Sequence, residues 1–547
     1  MERKWWHDQV VYQIYPRSFM DSNSDGIGDL NGIKSKLWYL HRLGVQIIWL
    51  CPVYRSPNRD NGYDISDYYQ IMEEFGTLED MCALIEECKN YNISIIMDLV
   101  LNHSSDLHEW FQQSRSSRDN PYREYYIWKD PAEGKEPTSE KAFFGGSVWE
   151  WDEKTEQYYR HTFCKEQPDL NWNNSRLRRE LYKMIRFWMD KGIKGFRLDA
   201  IDNIAKDEQG RHDTASGKVH EFLRELNENT FGTAKHLVTV GETGSAGIKD
   251  AKLYSDPKRR ELDMIFQFEV MGIDGTRTGT VEPKEYTLKD LKQVMSKWQA
   301  ELDDVGWNSL FWSNHDYPRA VSRFGNDSPK YRTVSAKMLA TLLHGMKGTP
   351  YIYQGEELGM TNIAFNGIYD YRDIETLNFY EKKKAEGWPK ERIMEYIYRN
   401  SRDNARTPMQ WDASEYAGFS DTAPWIRLNP NYTEINAAKN LADEHSVFYY
   451  YKKLIELRHT MDVLVYGTYQ LEYEAHPQVF SYTRRYHDES VLVICNFCEA
   501  SCSIPLSLSF EDKDVLISNY ETRQKKNSIL YLRPYEALMI QTGGKAR

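Results

Sequence analysis

Eight short β-rich runs alternate with longer helical patterns, four of those runs end in a carboxylate, and from about residue 466 the strands continue without helices. Together these features predict an α/β fold. They specify a (β/α)8 TIM barrel with an inserted subdomain after strand 3 and a C-terminal antiparallel β-sandwich domain. The runs are "VVYQIYP" (10–16), "VQIIWL" (45–50), "ISIIMDLV" (93–100), "IKGFRLDA" (193–200), "HLVTVGE" (236–242), "MIFQFE" (264–269), "SLFWSNHD" (309–316) and "PYIYQGEE" (350–357). A gap too long for a simple crossover separates the third run from the fourth. The barrel is therefore assigned to 1–103 and 172–465, the insertion to 104–171 and the C-terminal domain to 466–547, with a second insertion near 360–440. The 547 residues exceed one ordinary core but suit this arrangement.

The net charge is -12 and no Lys/Arg run forms a groove for phosphate backbones, so nucleic acid is not expected as a partner. No stretch of about 18 apolar residues and no signal-peptide pattern occurs, which predicts a soluble cytoplasmic protein without a membrane partner. We expect a monomer or a weak homo-oligomer. The seven cysteines are scattered and odd in number, unlike a disulfide framework. Cys495, Cys498 and Cys502 cluster, but in strand-like sequence without a fourth zinc ligand nearby.

The loop "DSNSDGIGDLNGI" (21–33) places Asp21, Asn23 and Asp25 at alternate positions, like a calcium loop. An EF-hand requires a bidentate Glu at position 12, where this chain has Gly32, and its flanks must be helices, whereas a strand-like run precedes this loop. The sensor reading fails on both counts. Two readings stay open: one hard cation wrapped by Asp21, Asn23, Asp25, the Ile27 carbonyl and Asp29, or an Asp/Asn/Gly turn that binds its own backbone.

Asp98, Asp199, Glu242 and Asp316 stand at or within two residues of the ends of four of the runs, and in a barrel such ends converge on the active-site mouth. Buried carboxylates are costly unless they are paired or used. Arg197 lies two residues before Asp199 and shares its strand face, while Asn102, His103 and His315 accompany the other acids. Without metal-ligand spacing, a serine elbow or a phosphate loop, paired carboxylates point to glycosidic chemistry.

"DLVLNH" (98–103), "GFRLDA" (195–200), "GE" (241–242) and "FWSNHD" (311–316) resemble, in order and spacing, the four signature regions of the α-amylase superfamily, glycoside hydrolase family 13. "QPDLNW" (167–172), "NGYDISDY" (61–68), "SRDNARTPMQW" (401–411) and the acidic loop resemble its oligo-1,6-glucosidase and α-glucosidase branch, and the likeness runs essentially the whole chain. The resemblance implies Asp199 as nucleophile, Glu242 as general acid/base and Asp316 as the third carboxylate. Arg197 beside Asp199 would favour its ionised form. The resemblance further implies hydroxyl contacts from His103 and His315, a clamp of Asp60, Tyr63 and Arg402 on the non-reducing glucose, and lining by Phe144 and Gln167. A clamp closing the far wall implies an exo-acting retaining α-glucosidase that releases one terminal glucose at a time from short oligosaccharides or disaccharides. No organic cofactor is implied. A structural Ca²⁺ or Mg²⁺ is implied at the acidic loop.

After the nucleophile stands Ala200, where the branch has Val with α-1,6 preference and Ala or Thr with α-1,4, so the expectation is α-1,4. The alternatives are an oligo-1,6-glucosidase acting on isomaltose or isomaltulose, then a trehalose-6-phosphate hydrolase or a sucrose isomerase or glucosyltransferase. A non-catalytic relative would lack acids that this chain retains. If a cation stiffens the acidic loop, a chelator should lower the melting temperature without immediate inhibition. Thermal melts and initial rates measured directly after chelation check this.

Overall fold

The computed structural model describes residues 2–213, 215–275, 284–506, 510–522, 524–526 and 528–544. The eight expected runs contain β1 (Val11–Ile14), β2 (Ile47–Leu50), β3 (Ser94–Val100), β4 (Gly195–Asp199), β5 (Val238–Glu242), β6 (Met264–Phe266), β7 (Ser309–Leu310) and β8 (Thr349–Tyr353). Their order in the sheet is β6-β5-β4-β3-β2-β1-β8-β7, the sequential order of a (β/α)8 barrel. By contacts the chain divides into two compact units, Met1–Ile48 with Tyr91–Ile93 and Glu269–Arg547, and Trp49–Asn90 with Ser94–Phe268.

In the second unit the parallel registers set the positions of the acids. Asp98 of β3 pairs with Arg197 of β4, Val100 pairs with Asp199, and Val240 of β5 pairs with Arg197. Side chains two apart share a face, so Asp98, Arg197 and Asp199 lie together and Glu242 follows Val240 on the same side. Helix Ser175–Lys191 delivers the chain to β4. Asn174 caps it by accepting from Arg176 and Leu177 amides, and its face of Leu177, Leu181, Met184, Ile185 and Trp188 is buried. Gly192 ends the helix at φ 107°, a conformation that suits glycine. Within the inserted segment, Trp128–Lys129, Gln157–Arg160 and Trp149–Asp152 form an antiparallel sheet around Ile127, Ala142, Val148 and Trp149.

In the first unit β8 pairs in parallel with β1 and β7. Strand β7 is short, so Asp316 stands in the following loop and not at a strand end as the run suggests. The Asn314 side chain accepts from the Asp316 amide at 2.7 Å, a local turn that competes with the sheet ladder. After β8, helices Ile374–Ala385 and Lys390–Asn400 pack around Phe365, Phe379, Ile393 and Ile397.

The C-terminal part holds a five-stranded antiparallel sheet of β9 (Thr468–Glu472), β10 (Val479–Tyr486), β11 (Glu489–Asn496), β12 (Val515–Ser518) and β13 (Ala537–Gly543), ordered β9-β10-β11-β13-β12. A three-stranded sheet of Cys502–Pro505, Ile529–Leu532 and Gln524–Lys526 supplies Ile504, Leu530 and Leu532 to a core shared with Val479, Leu492, Ile494, Leu538 and Ile540. Two sheets enclosing one apolar layer make this the expected sandwich.

Gly195 opens β4 where a Cβ would lie 2.2 Å from the Val238 carbonyl oxygen and 2.8 Å from side-chain atoms of Ile96 and Val238. Gly195→Ala should therefore force β4 from β5, cost about 2 kcal/mol or more and lower activity. Thermal denaturation and glucose release measured on the same preparation check this.

Candidate active site

The second unit concentrates charge around one guanidinium. Arg197 Nη1 donates to Asp98 Oδ1 at 2.6 Å and to Asp199 Oδ1 at 2.7 Å, and Nη2 lies 2.8 Å from Glu242 Oε2. Arg197 is about 1 % exposed, and its guanidinium lies 5.2 Å from the Trp49 ring centre and 5.7 Å from that of Tyr63. Low dielectric and ring faces strengthen its pull on the acids. Asp98 also accepts from Trp49 Nε1 at 2.9 Å and from the Tyr63 hydroxyl at 3.1 Å. Burial raises Asp98 to about 6 even though Arg197 draws it down.

Asp199 shows how these influences balance. Burial pushes its carboxyl well above the ordinary aspartate range; Arg197 pulls it down, as the strand spacing predicts, while Glu242 and Asp98 push it up again. The Arg197 effect is present but outweighed. Three carboxyls face one guanidinium, so the charge state of each depends on the other two.

Ala200 contributes through its backbone. It adopts φ 42°, ψ 38°, and its amide donates to Glu242 Oε2 at 3.0 Å. This left-handed conformation is sparsely populated for a residue with a Cβ. The strained turn aims a donor at the carboxylate of the next strand.

Other predicted residues join the same unit. Gln167 Nε2 donates to Asp60 Oδ2 at 3.1 Å and stands 3.1 Å from His103 Nε2. His103 Nε2 is 3.2 Å from the Tyr63 carbonyl oxygen, and Nδ1 is 3.2 Å from Asn102 Nδ2. A neutral ring with its hydrogen on Nε2 satisfies both contacts. Burial lowers His103 to about 4, against the upward pull of Asp169 and the Tyr63 carbonyl. The Phe144 ring is 6.0 Å from that of Phe163, whose own ring is 5.1 Å from His103. Behind His103, buried Lys206 donates to Asn102 Oδ1 at 3.0 Å and lies 3.4 Å from Asp169.

In the first unit, Asp316 Oδ1 accepts from Arg402 Nη1 at 3.1 Å and Arg406 Nη2 at 3.0 Å, while Oδ2 is 3.2 Å from His315 Nε2. His315 Nδ1 lies 2.8 Å from Gln13 Nε2, and Tyr15 stacks on the ring at 6.2 Å. Both arginines also hold Asp373, at 2.6 Å from Arg402 and 3.5 Å from Arg406. Burial would raise Asp373, but the two guanidinium groups outweigh it and hold its carboxyl low.

Trp49, Arg406 and Asp373 escaped sequence reasoning. Trp49 closes an apolar run and reads as core. Arg406 stands four residues after Arg402 in a quoted motif, a spacing that offered a signal. Asp373 precedes helix Ile374–Ala385 and caps it through the Thr376 amide, so its sequence signature is that of a cap alone.

In the acidic loop, Asp21 accepts from the amides of Asn23, Ser24 and Gly26 and from Ser420 Oγ, and Asp25 Oδ1 accepts from the Ile27 amide. The Asn23 Oδ1 accepts from Asp25, and Asp29 accepts from Ser22 and caps helix Leu30–Ser35 through the Gly32 amide. These are the bonds of the self-bonded turn. No three Asp, Glu, His or Cys side chains converge as a metal cluster among the described residues. Asp21 Oδ1, Asp21 Oδ2 and Asp29 Oδ1 each already accept two of these bonds, so a cation would have to displace some of them. Oxygen donors and uncompensated negative charge still suit a hard cation.

Carboxylates bridged by one arginine at the ends of adjacent parallel strands of a (β/α)8 barrel are a donor set suited to glycosidic chemistry. Residues 13–467 match the family model "Alpha amylase, catalytic domain", and 479–539 match "Alpha-amylase SusG C-terminal domain". The chain belongs to the α-amylase superfamily, glycoside hydrolase family 13, and is a glycoside hydrolase of the α-glucosidase type. It is 53 % identical to the oligo-1,6-glucosidase of Parageobacillus thermoglucosidasius over 98 % of this chain and 99 % of that protein. Against the oligo-1,6-glucosidase of Bacillus cereus the identity is 52 %, over 99 % of this chain and 100 % of the relative. The crystal structure of Bacillus licheniformis trehalose-6-phosphate hydrolase superposes with a TM-score of 0.93 at 44 % identity, covering 99 % and 100 % of the two chains.

Below pH 6.5 an unfolded His103 takes a proton that the folded site refuses until about pH 4, so this residue contributes stability that is lost as pH falls through that window. Between pH 6.5 and 5 the loss amounts to about 2 kcal/mol. His103→Gln should flatten the fall in urea midpoint between pH 7 and 5, and equal falls in both proteins would contradict the assignment.

Proposed function

We propose that this enzyme is an exo-acting retaining oligo-1,6-glucosidase that removes terminal α-D-glucose from short α-1,6-linked oligosaccharides such as isomaltose. The observation that carries the glycosidase mechanism is the Arg197 bridge joining Asp98, Asp199 and Glu242. The linkage rests on the names and full-length identities of the two bacterial relatives, which support α-1,6 over the α-1,4 preference read from Ala200. Ala200 remains the one feature favouring maltose as a second substrate.

Asp199 Oδ2 attacks the anomeric carbon while its Oδ1 stays on Arg197. The bond from that carbon to the bridging oxygen breaks, and Glu242 donates a proton to the departing oxygen. The Ala200 amide's hydrogen bond and the Arg197 ion pair both fall on Glu242 Oε2, so Oε1 is the oxygen left to serve the departing oxygen in this scheme. A water then loses its proton to Glu242 and adds to the anomeric carbon, and the Asp199 ester bond breaks to release α-glucose. In the second unit Asp60, Tyr63, His103 and Gln167 bind the terminal glucose in this scheme; in the first, Asp316, oriented by Arg402, Arg406 and His315, keeps the third-carboxylate role that the sequence implies. Asp21, Asn23, Asp25, Asp29 and the Ile27 carbonyl would hold a structural Ca²⁺ or Mg²⁺. Such a cation would neutralise the loop's charge.

Asp199→Ala should lower glucose release by at least about 10⁴-fold without loss of fold, as expected for a nucleophile. A panel of isomaltose, maltose, sucrose, trehalose and trehalose 6-phosphate should show isomaltose turned over fastest. Preference for the phosphorylated disaccharide or for maltose would overturn the linkage assignment.

A further inference from the structure

Asp64 is an acid that the mechanism does not use. It is 0 % exposed, and no lysine, arginine or histidine pairs with it among the described residues. Its carboxylate is instead surrounded by the loop just before it. Oδ1 accepts from Ser56 Oγ and the Asp60 amide, each at 3.0 Å, and Oδ2 accepts from the Arg59 amide at 2.9 Å. Burial raises its carboxyl to about 6, and the two amides draw it back down.

The surrounded loop is strained. Asn58, Asn61 and Gly62 lie at φ 63°, 50° and 96°, and the Tyr63 amide closes back on the Asp60 carbonyl at 3.0 Å. Such a backbone persists only where its surroundings determine it. Three groups of the candidate site hang from it: the Asp60 carboxylate bound by Gln167, the Tyr63 hydroxyl on Asp98, and the Tyr63 carbonyl facing His103. A buried carboxylate without a cation is a costly choice for a loop that only needs to turn.

We propose that Asp64 is a positioning residue, whose carboxylate shapes loop 56–64 so that Asp60 and Tyr63 meet the terminal glucose. The sugar contact rests on the glucosidase function proposed above; the shaping of the loop does not. An asparagine at this position keeps one acceptor oxygen but turns an NH2 group toward a donor, so at least one of the three bonds is lost. In the full-length enzyme, Asp64→Asn and Asp64→Ala should raise KM for p-nitrophenyl α-glucoside by about tenfold or more and change kcat by less than about threefold. Hydrogen exchange of peptides spanning 56–64 should accelerate by about tenfold or more, with exchange at β3 and β4 unchanged. Ser56→Ala, which removes one donor, should give a smaller shift in the same direction and keeps the test available if Asp64→Ala does not fold.

Unchanged exchange at 56–64 in Asp64→Asn would overturn the shaping role. Accelerated exchange with unchanged KM would overturn the link to substrate binding. An unmodified enzyme inactive on every α-glucoside would sink the proposed function, while the exchange result would still decide the anchor.

Discussion

A single buried guanidinium sets the terms for the second unit. Arg197 is a strand residue, fixed by its ladder between β3 and β5, and its planar fork spans acids contributed by three strands. Lysine would offer a point charge on a flexible stem and could not hold two carboxylates in one plane. Three acids face one cation, and burial together with the neighbouring carboxyls pushes Asp199 upward against the pull of Arg197.

The groups around the cluster are fixed with comparable economy. Trp49 and Tyr63 donate to Asp98 Oδ2 while Arg197 holds Oδ1, so of the three acids Asp98 has the most hydrogen bonds. Asp199 and Glu242 each keep one oxygen outside the network. Hydrogen bonding is thus concentrated on Asp98 and sparse on Asp199 and Glu242, the two acids that react in the proposed mechanism, a division that favours preorganisation over tight ground-state binding. In the first unit Asp316 shows a related logic: two arginines that also grip Asp373 hold one oxygen, and His315 faces the other.

The barrel and the chemistry were legible in the sequence to different depths. Period-two spacing identified Arg197 and Asp199 as neighbours, because a strand leaves no other option for residues two apart. The same logic misplaced Asp316, since "SLFWSNHD" reads as one run although the strand stops at Leu310 and Asn314 captures the Asp316 amide in the loop beyond it. Arg406 and Asp373 are brought together across 33 residues of helical insertion, a distance over which local pattern carries no information. The reversal at Asp199, where burial and like charge overcome the arginine, depends on the surroundings of the whole cluster. Asp64 lay within a motif already recognised, yet its partners are backbone amides, which a sequence does not display.

The pairing of β1 with β8 has a consequence for synthesis in the cell. Val11 finds its partner in Tyr351, so one edge of the first strand stays open until about 340 further residues have been made. At about 5–20 residues per second that interval is on the order of 20–70 s. Throughout it, the unpaired edge of a strand that is buried in the finished fold is open to pairing with other nascent chains. Yield of this enzyme in a heterologous host should therefore depend on translation speed and chaperone supply as much as on the stability of the finished fold.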